Sequence, residues 1–188
     1  MASDLEHQPV LLEEAINALN IKADGVYVDA TFGRGGHSAA ILERLNANGR
    51  LLAFDQDPLA VSYGRQRFSK DKRIEIIHCN FRRVANMVAE RGLDKKVDGV
   101  LMDLGVSSPQ LDEAGRGFSF MRDGPLDMRM DPDAGISAAD WLATVDDKAL
   151  TRVLRQYGEE RHAPRIARAI VAARAEAPIT RTQQLADL

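Results

Sequence analysis

Cysteine is almost absent: Cys79 stands alone among 188 residues. A single thiol excludes an internal disulfide and any cysteine-rich metal site, and it fits a reducing, cytoplasmic setting. Histidine is scarce too. His7, His37, His78 and His162 have no ligand spacing with one another, which argues against structural zinc and leaves no metal expected. No apolar run approaches the roughly 20 residues that span a bilayer, so no membrane partner is expected. The opening Met-Ala-Ser-Asp-Leu-Glu-His lacks the basic start and apolar stretch of a secretory signal. Nor is there an excess of one charge: the net value of −3 argues weakly against a polyanionic partner.

What is present suits a soluble α/β protein. A 45% hydrophobic share supports a core, and the length leaves room for one domain, or for one domain and part of another. Charge is unevenly spread. Arg152 to Arg181 holds seven arginines and three glutamates, a local +4 that leaves −7 elsewhere. Such asymmetry marks a polyanion-facing surface or a solvated helix face with Arg–Glu pairs, and composition alone favours the second.

The first two thirds alternate short apolar runs with helix-period segments. Leu11 to Leu19 reads as an amphipathic helix. Val26-Tyr27-Val28-Asp29 reads as a buried strand running into a glycine-rich turn, and His37 to Leu45 as a helix packed on a sheet. Leu51 to Asp55 is a second strand, and Asp57-Pro58 starts a helix with Asp at the N-cap and Pro at the first helical position. Ile74 to Ile77 supplies a third strand, Arg82 to Arg91 a helix stopped by Gly92, and Val97 to Leu104 a fourth strand. Connections this short imply right-handed crossovers and a doubly wound parallel sheet, with ligands at the carboxyl ends of the strands. After Gly105 turn formers take over as far as Gly135. From Ser137 the chain reads as helical, with capping-box starts at Ser137…Asp140 and Thr144…Asp147. Helices follow around Ala149–Gln156 and about Arg161–Ala175, then a last one capped by Thr180 or Thr182.

Four strand ends carry the candidate chemistry. The loop Asp29-Ala30-Thr31-Phe32-Gly33-Arg34-Gly35-Gly36-His37 lets the backbone take positive φ and lets a ligand approach. Ser38 breaks the dinucleotide pattern Gly-x-Gly-x-x-Gly. The loop is closer to the Asp-x-x-x-Gly-x-Gly turn of methyltransferases; a plain tight strand–helix connection has comparable weight. Asp55 ends the second strand, where a carboxylate can accept both hydroxyls of an adenosine ribose. Phe81 follows the third strand and either packs on an adenine or begins the next helix as a core residue. Asp103 ends the fourth and either orients a substrate amine or contacts the cofactor.

Three stretches resemble the bacterial 16S ribosomal RNA cytosine-N4 methyltransferase family (MraW/RsmH): Thr31 to Ser38, Asp103 to Asp112 and Arg116 to Met130. Tyr157 to Arg161 and Arg165 to Ile170 resemble its helical region, so the likeness extends over essentially the whole chain. The long middle stretch is far more specific than the glycine loop. The resemblance implies a Rossmann-like class I methyltransferase fold with a helical insertion domain. It also implies methylation of the exocyclic N4 of a cytosine in 16S rRNA of the small ribosomal subunit, with S-adenosyl-L-methionine as donor. By matching positions, Gly35, Gly36, His37, Asp55, Phe81, Asp103 and Gln110 contact the donor. The helical region meets RNA, with Arg161, Arg165 and Arg168 as phosphate-binding candidates on one helix face. Phe118 and Phe120 are candidates to stack on a flipped base, with loop packing the expected role of at least one. Asp123, Asp127, Arg122 and Arg129 either shape the pocket or pair internally.

The expected organisation is a donor-binding domain over residues 1–110, a loop-rich segment over 111–136 and a helical insertion over 137–188. Family members continue past this insertion with further strands, so weak donor binding and little turnover are expected of the 188-residue chain. No catalytic base is assigned, and a homodimer is left open. Two rivals remain: an NAD-dependent oxidoreductase, which lacks its third glycine here, and a non-catalytic RNA-binding assembly factor with a vestigial donor pocket.

Overall fold

The computed structural model describes residues 11–188, so His7 lies outside the described residues. The chain divides after Gly105 into two compact units.

The first unit is a parallel four-stranded sheet: β1 (Val26–Asp29), β2 (Arg50–Asp55), β3 (Ile74–His78) and β4 (Gly99–Leu101). The order is β3-β2-β1-β4, so the chain winds outward to one side of β1 and then crosses to the other. This is the Rossmann-like plan, and its switch point lies between β1 and β4. Helices α1 (Leu12–Ala18), α2 (Gly36–Arg44), α3 (Pro58–Arg67) and α4 (Val84–Glu90) accompany the strands.

Alternation along the strands divides the core. Val28, Leu52, Phe54 and Ile77 pack with Val84 and Val88 of α4 on one face. Tyr27 and Leu51 pack with Ile16 of α1 and with Ile41 and Leu42 of α2 on the other. Both faces of β1 and β2 are thus covered, which is why those strands read as apolar runs. Asp57 caps α3 as its sequence predicts: Oδ1 accepts from the Leu59 N–H at 3.0 Å, with Pro58 at the helix start. Arg91 grips Glu75 through two nitrogens, the closer pair at 2.6 Å, and so ties the end of α4 to β3.

The fourth strand is shorter than its apolar run predicts, three residues instead of Val97 to Leu104. Among the described residues β4 pairs with β1 alone, and β1 runs out. The register ends at Asp29↔Leu101, and the Ala30 N–H to Leu101 carbonyl bond, 2.9 Å, is the last of the ladder. Beyond it β1 has turned into the glycine loop.

The second unit is helical: α5 (Ser108–Asp112), α6 (Ala138–Thr144), α7 (Asp147–Gln156), α8 (Ala163–Glu176) and α9 (Thr182–Ala186). Its core joins Leu126, Leu142, Val145, Leu150, Ala167, Ile170 and Ile179. The segment between α5 and α6 is irregular but anchored. Leu126 is 2% exposed, and its N–H reaches the Thr180 carbonyl at 2.8 Å beside the Pro125–Arg181 bridge.

Ser137 caps α6 as expected, accepting from the Asp140 N–H at 3.1 Å. Two other expected caps differ. Asp146, not Thr144, caps α7, accepting from the Ala149 N–H at 2.8 Å, because a carboxylate is the stronger acceptor and Val145 keeps Thr144 inside α6. Neither Thr180 nor Thr182 caps α9. The Asp123 carboxylate does so from a distant loop, receiving the Gln183 N–H at 3.2 Å and Arg181 Nε at 2.6 Å. Among the described residues no helix is long and apolar enough to cross a membrane.

Candidate functional site

Asp29, Asp55, Asn80 and Asp103 lie at or just beyond the carboxyl ends of β1, β2, β3 and β4. The strands are parallel, so all four polar residues gather at one edge of the sheet, where an open α/β sheet holds its ligands.

The loop between β1 and α2 is built around a buried carboxylate. Asp29 is fully buried; its Oδ1 accepts from the Thr31 N–H at 3.1 Å, and its Oδ2 from the Ser38 hydroxyl at 2.7 Å. It therefore clamps both ends of the glycine loop. Burial pushes the Asp29 carboxyl above its ordinary pKa, with the Ser38 and Thr31 hydrogen bonds opposing the shift.

Gly33 and Gly35 have different reasons to be glycine. Both have positive φ, 54° and 74°. A Cβ on Gly33 would meet nothing nearer than 4.0 Å, so that point of the loop is open. A Cβ on Gly35 would lie 2.6 Å from the Phe32 ring and 3.0 Å from the Phe68 ring. Gly35 thus serves aromatic packing, and Gly33 is the position a ligand could approach. Gly36 opens α2, and His37 follows it, 7% exposed.

Asp55 is drawn into the same loop. Its Oδ2 accepts from the Gly33 N–H at 2.7 Å, and its Oδ1 from the Asp57 N–H at 2.8 Å. Burial pushes this carboxyl up, while the backbone N–H groups of Asp57 and Gly33 pull it back. The Gln56 backbone N–H favours the anion as well, and the two oxygens of a carboxylate offer about four acceptor sites in all. Phe81 begins a single 3-10 turn, Phe81–Arg83, and is 38% exposed. Asn80 caps that turn and donates from Nδ2 to Gln56 Oε1 at 2.5 Å, fixing the end of β3 beside that of β2. Asp103 has an exposed side chain, but its backbone is held: its N–H donates to Thr31 Oγ1 at 2.7 Å.

Glycine loop, Asp55, Phe81 and Asp103 therefore belong to one unit and one edge of the sheet. Gln110 belongs to the second unit. It is 5% exposed in α5, and its Oε1 accepts from the Ser107 N–H at 3.0 Å, closing a capping box.

Also in the second unit, Arg165 and Arg168 lie on α8 and are exposed, opposite the buried Ala163, Ala167 and Ile170. Arg161 precedes α8, in the turn after α7, and so does not share the helix face expected of all three arginines. Pro164 at the helix start accounts for this, because it fixes the entry to α8 after Arg161. Phe118 is half-buried and Phe120 is 61% exposed. The charged residues between them and α6 pair internally: Asp127 holds Arg129 at 2.6 Å, and Arg122 Nη1 reaches the Asp112 carbonyl at 3.0 Å.

Sequence reasoning passed over Thr31 and Ser38. The signal for Ser38 was visible as the residue that spoils the dinucleotide pattern, and its hydroxyl meets Asp29 instead. For Thr31 it was the Asp-x-Thr spacing at a strand end, which favours an N–H to carboxylate turn.

A family model described as the MraW methylase family matches residues 4–188. The chain belongs to that family. Among its relatives, a ribosomal RNA small subunit methyltransferase H from Alteromonas mediterranea is 58% identical over 186 residues, covering 99% of this chain and 59% of that protein. One of the same description from Shewanella amazonensis is 56% identical over 188 residues, covering all of this chain and 60% of that protein. The chain thus spans about 60% of the length of these curated relatives. A crystal structure of a Clostridium thermocellum protein overlaps 52% of this chain and 55% of its own, with a TM-score of 0.36 and 21% identity. The sheet order, and not that partial overlap, defines the fold of this MraW-family chain.

Proposed function

We propose that this chain carries the donor site of a cytoplasmic S-adenosyl-L-methionine-dependent methyltransferase. Its proposed acceptor is the exocyclic N4 of a cytosine in 16S rRNA of the small ribosomal subunit. In this reading residues 1–110 bind the donor, 111–136 line the acceptor side and 137–188 meet RNA. The observation that carries it is the Gly33–Asp55 hydrogen bond in a chain of the MraW family. That bond sets a diol-accepting carboxylate against a loop whose Gly33 has an open flank.

The residues fit a nucleoside-bearing donor. Asp55 would accept the ribose hydroxyls, and the half-exposed Phe81 would lie against the adenine. Gly35, Gly36 and His37 place the N-terminus of α2 at the loop, where backbone N–H groups suit a carboxylate. Gln110 is a proposed donor contact by its match to the family motif. When bound, the donor supplies a methyl group made electrophilic by its sulfonium sulfur. Asp103 would accept a hydrogen bond from the target amine and so aim its lone pair, a contribution of positioning rather than of proton removal.

Calorimetric titration with S-adenosyl-L-methionine tests the donor site, with saturable binding expected in the wild-type chain and not in Asp55→Ala. Tritium transfer onto undermodified small subunits, mapped to cytosine N4, tests the acceptor. Binding of NADH but not of the methyl donor would sink the reading.

A further inference from the structure

The glycine loop and the end of β4 are joined by one side chain. Thr31 Oγ1 accepts the Asp103 N–H at 2.7 Å, across 72 residues of sequence, while the Thr31 N–H is held by Asp29 Oδ1 at 3.1 Å. Asp29 is in turn bound to Ser38 in α2, and it is fully buried. The chain of contacts Ser38–Asp29–Thr31–Asp103 therefore runs from the first turn of α2, under the loop, to the residue that follows β4 by two positions.

Among the described residues the β1–β4 register ends at Asp29↔Leu101, and the Thr31 hydroxyl takes the Asp103 N–H two positions beyond it. Met102 and Leu104, either side of Asp103, are 50% and 67% exposed among the described residues.

We infer that Thr31 is a positioning residue for methyl transfer: its hydroxyl oxygen sets the distance between the donor loop and Asp103. The inference rests on the donor-site reading above. Transfer requires the reacting atoms about 3–3.5 Å apart and aligned, so the loop that holds the donor and the strand end that faces the amine must keep a fixed separation. In this reading Thr31 acts through the backbone of Asp103, whose N–H its hydroxyl oxygen accepts.

Thr31→Val preserves the branched shape and removes the acceptor, whereas Thr31→Ser preserves the acceptor and removes a methyl group. Two readouts are taken on the 188-residue chain: calorimetric affinity for S-adenosyl-L-methionine, and hydrogen exchange at the Asp103 amide with and without that donor. Thr31→Val is expected to weaken donor affinity by about fivefold and to speed Asp103 exchange by about tenfold, the scale of one lost hydrogen bond. Thr31→Ser is expected to stay within about twofold of wild type on both. A Thr31→Val chain that leaves either readout unchanged overturns the inference, as does a Thr31→Ser chain as impaired as the valine variant. Wild-type chain that binds no donor sinks the donor-site reading and this inference together; wild-type binding with an indifferent valine variant sinks this inference alone.

Discussion

The Gly33 N–H donates to Asp55 Oδ2 at 2.7 Å, so the residue that ends β2 closes the loop that follows β1. The same carboxylate receives the Asp57 N–H through its other oxygen. Asp55→Ala should therefore do two things. It leaves the Gly33 and Asp57 N–H groups, among the backbone donors to Asp55, without their acceptor, at a cost of about 1–3 kcal/mol in chemical denaturation. It should also abolish measurable donor binding. Asp55→Asn, which retains one acceptor oxygen, should fall between wild type and Ala on both. Equal donor affinity in all three proteins would remove Asp55 from the site.

The two loop glycines should respond differently to alanine. Gly33→Ala meets open space and suffers only the left-handed φ, about 1–2 kcal/mol for a residue with a Cβ. Gly35→Ala adds a clash with the Phe32 ring at 2.6 Å, and Phe32 is 3% exposed and cannot swing away cheaply. Thermal melts should rank Gly35→Ala well below Gly33→Ala. Donor titration should reverse the emphasis, because the Cβ at position 33 stands on the side left open for a ligand. Identical melting losses would mean that the aromatic packing yields.

Asp29 predicts a pH dependence opposite to that of a salt-bridged aspartate. Burial raises its folded pKa above the unfolded value of about 4. The folded chain then holds the proton to higher pH than the unfolded chain does, so this group's contribution to stability falls as pH rises from about 4 through the raised folded value. Asp29→Asn keeps an acceptor for the Thr31 N–H and can donate to the Ser38 oxygen, so the clamp survives without the charge. Melting midpoints of wild type minus Asp29→Asn should decline across that window. Taking the difference removes the parallel effect of Asp55, whose carboxyl is also pushed up. A difference that rises with pH would mean that Asp29 is stabilised as its anion.

Particular residues show how much of this was legible in the sequence. Asp57-Pro58 announced α3 because a cap and a fixed φ act locally. The ends of β1 and β2 were legible because those strands are apolar on both faces, so Asp29 and Asp55 stand out as the polar residues that close them. The extent of β4 was not, because Met102 and Leu104 have strand-like side chains but no partner left on β1. Nor was the cap of α9, since Asp123 lies 60 residues from the Gln183 amide it accepts. Arg161, Arg165 and Arg168 have helical spacing, yet Pro164 starts the helix after the first of them. Spacing along the chain reports what neighbours do to each other; it carries no information about distant partners.

Leu150 tests the helical unit by itself. It is 1% exposed in α7, and it packs with Leu142, Ala167 and Ile170. Leu150→Ala should cost about 2–5 kcal/mol, the range for a truncated core leucine. The chain's single tryptophan, Trp141, lies in α6 against the same cluster, so its fluorescence follows this unit. The Trp141 transition should move to lower denaturant in Leu150→Ala, and in Leu150→Met by less than about 1.5 kcal/mol. An unmoved transition would mean that the cavity collapses without loss.

Arg165 and Arg168 test the RNA reading of α8. Both project from the face opposite Ala163, Ala167 and Ile170, so alanine at either position should leave the core untouched and the helix at least as favourable. If each contacts a phosphate, its loss should weaken binding to small-subunit RNA similarly for all sequences. It should also reduce the slope of log affinity against log salt by about 0.7–0.9, the value for one contact. The double variant should lose about twice that slope. Arg161→Ala supplies a comparison from the turn before α8, where the guanidinium is not held to the helix face. Filter-binding or fluorescence titrations over a range of salt would decide it. An unchanged slope in the double variant would return this face to the solvated role that its composition alone suggests.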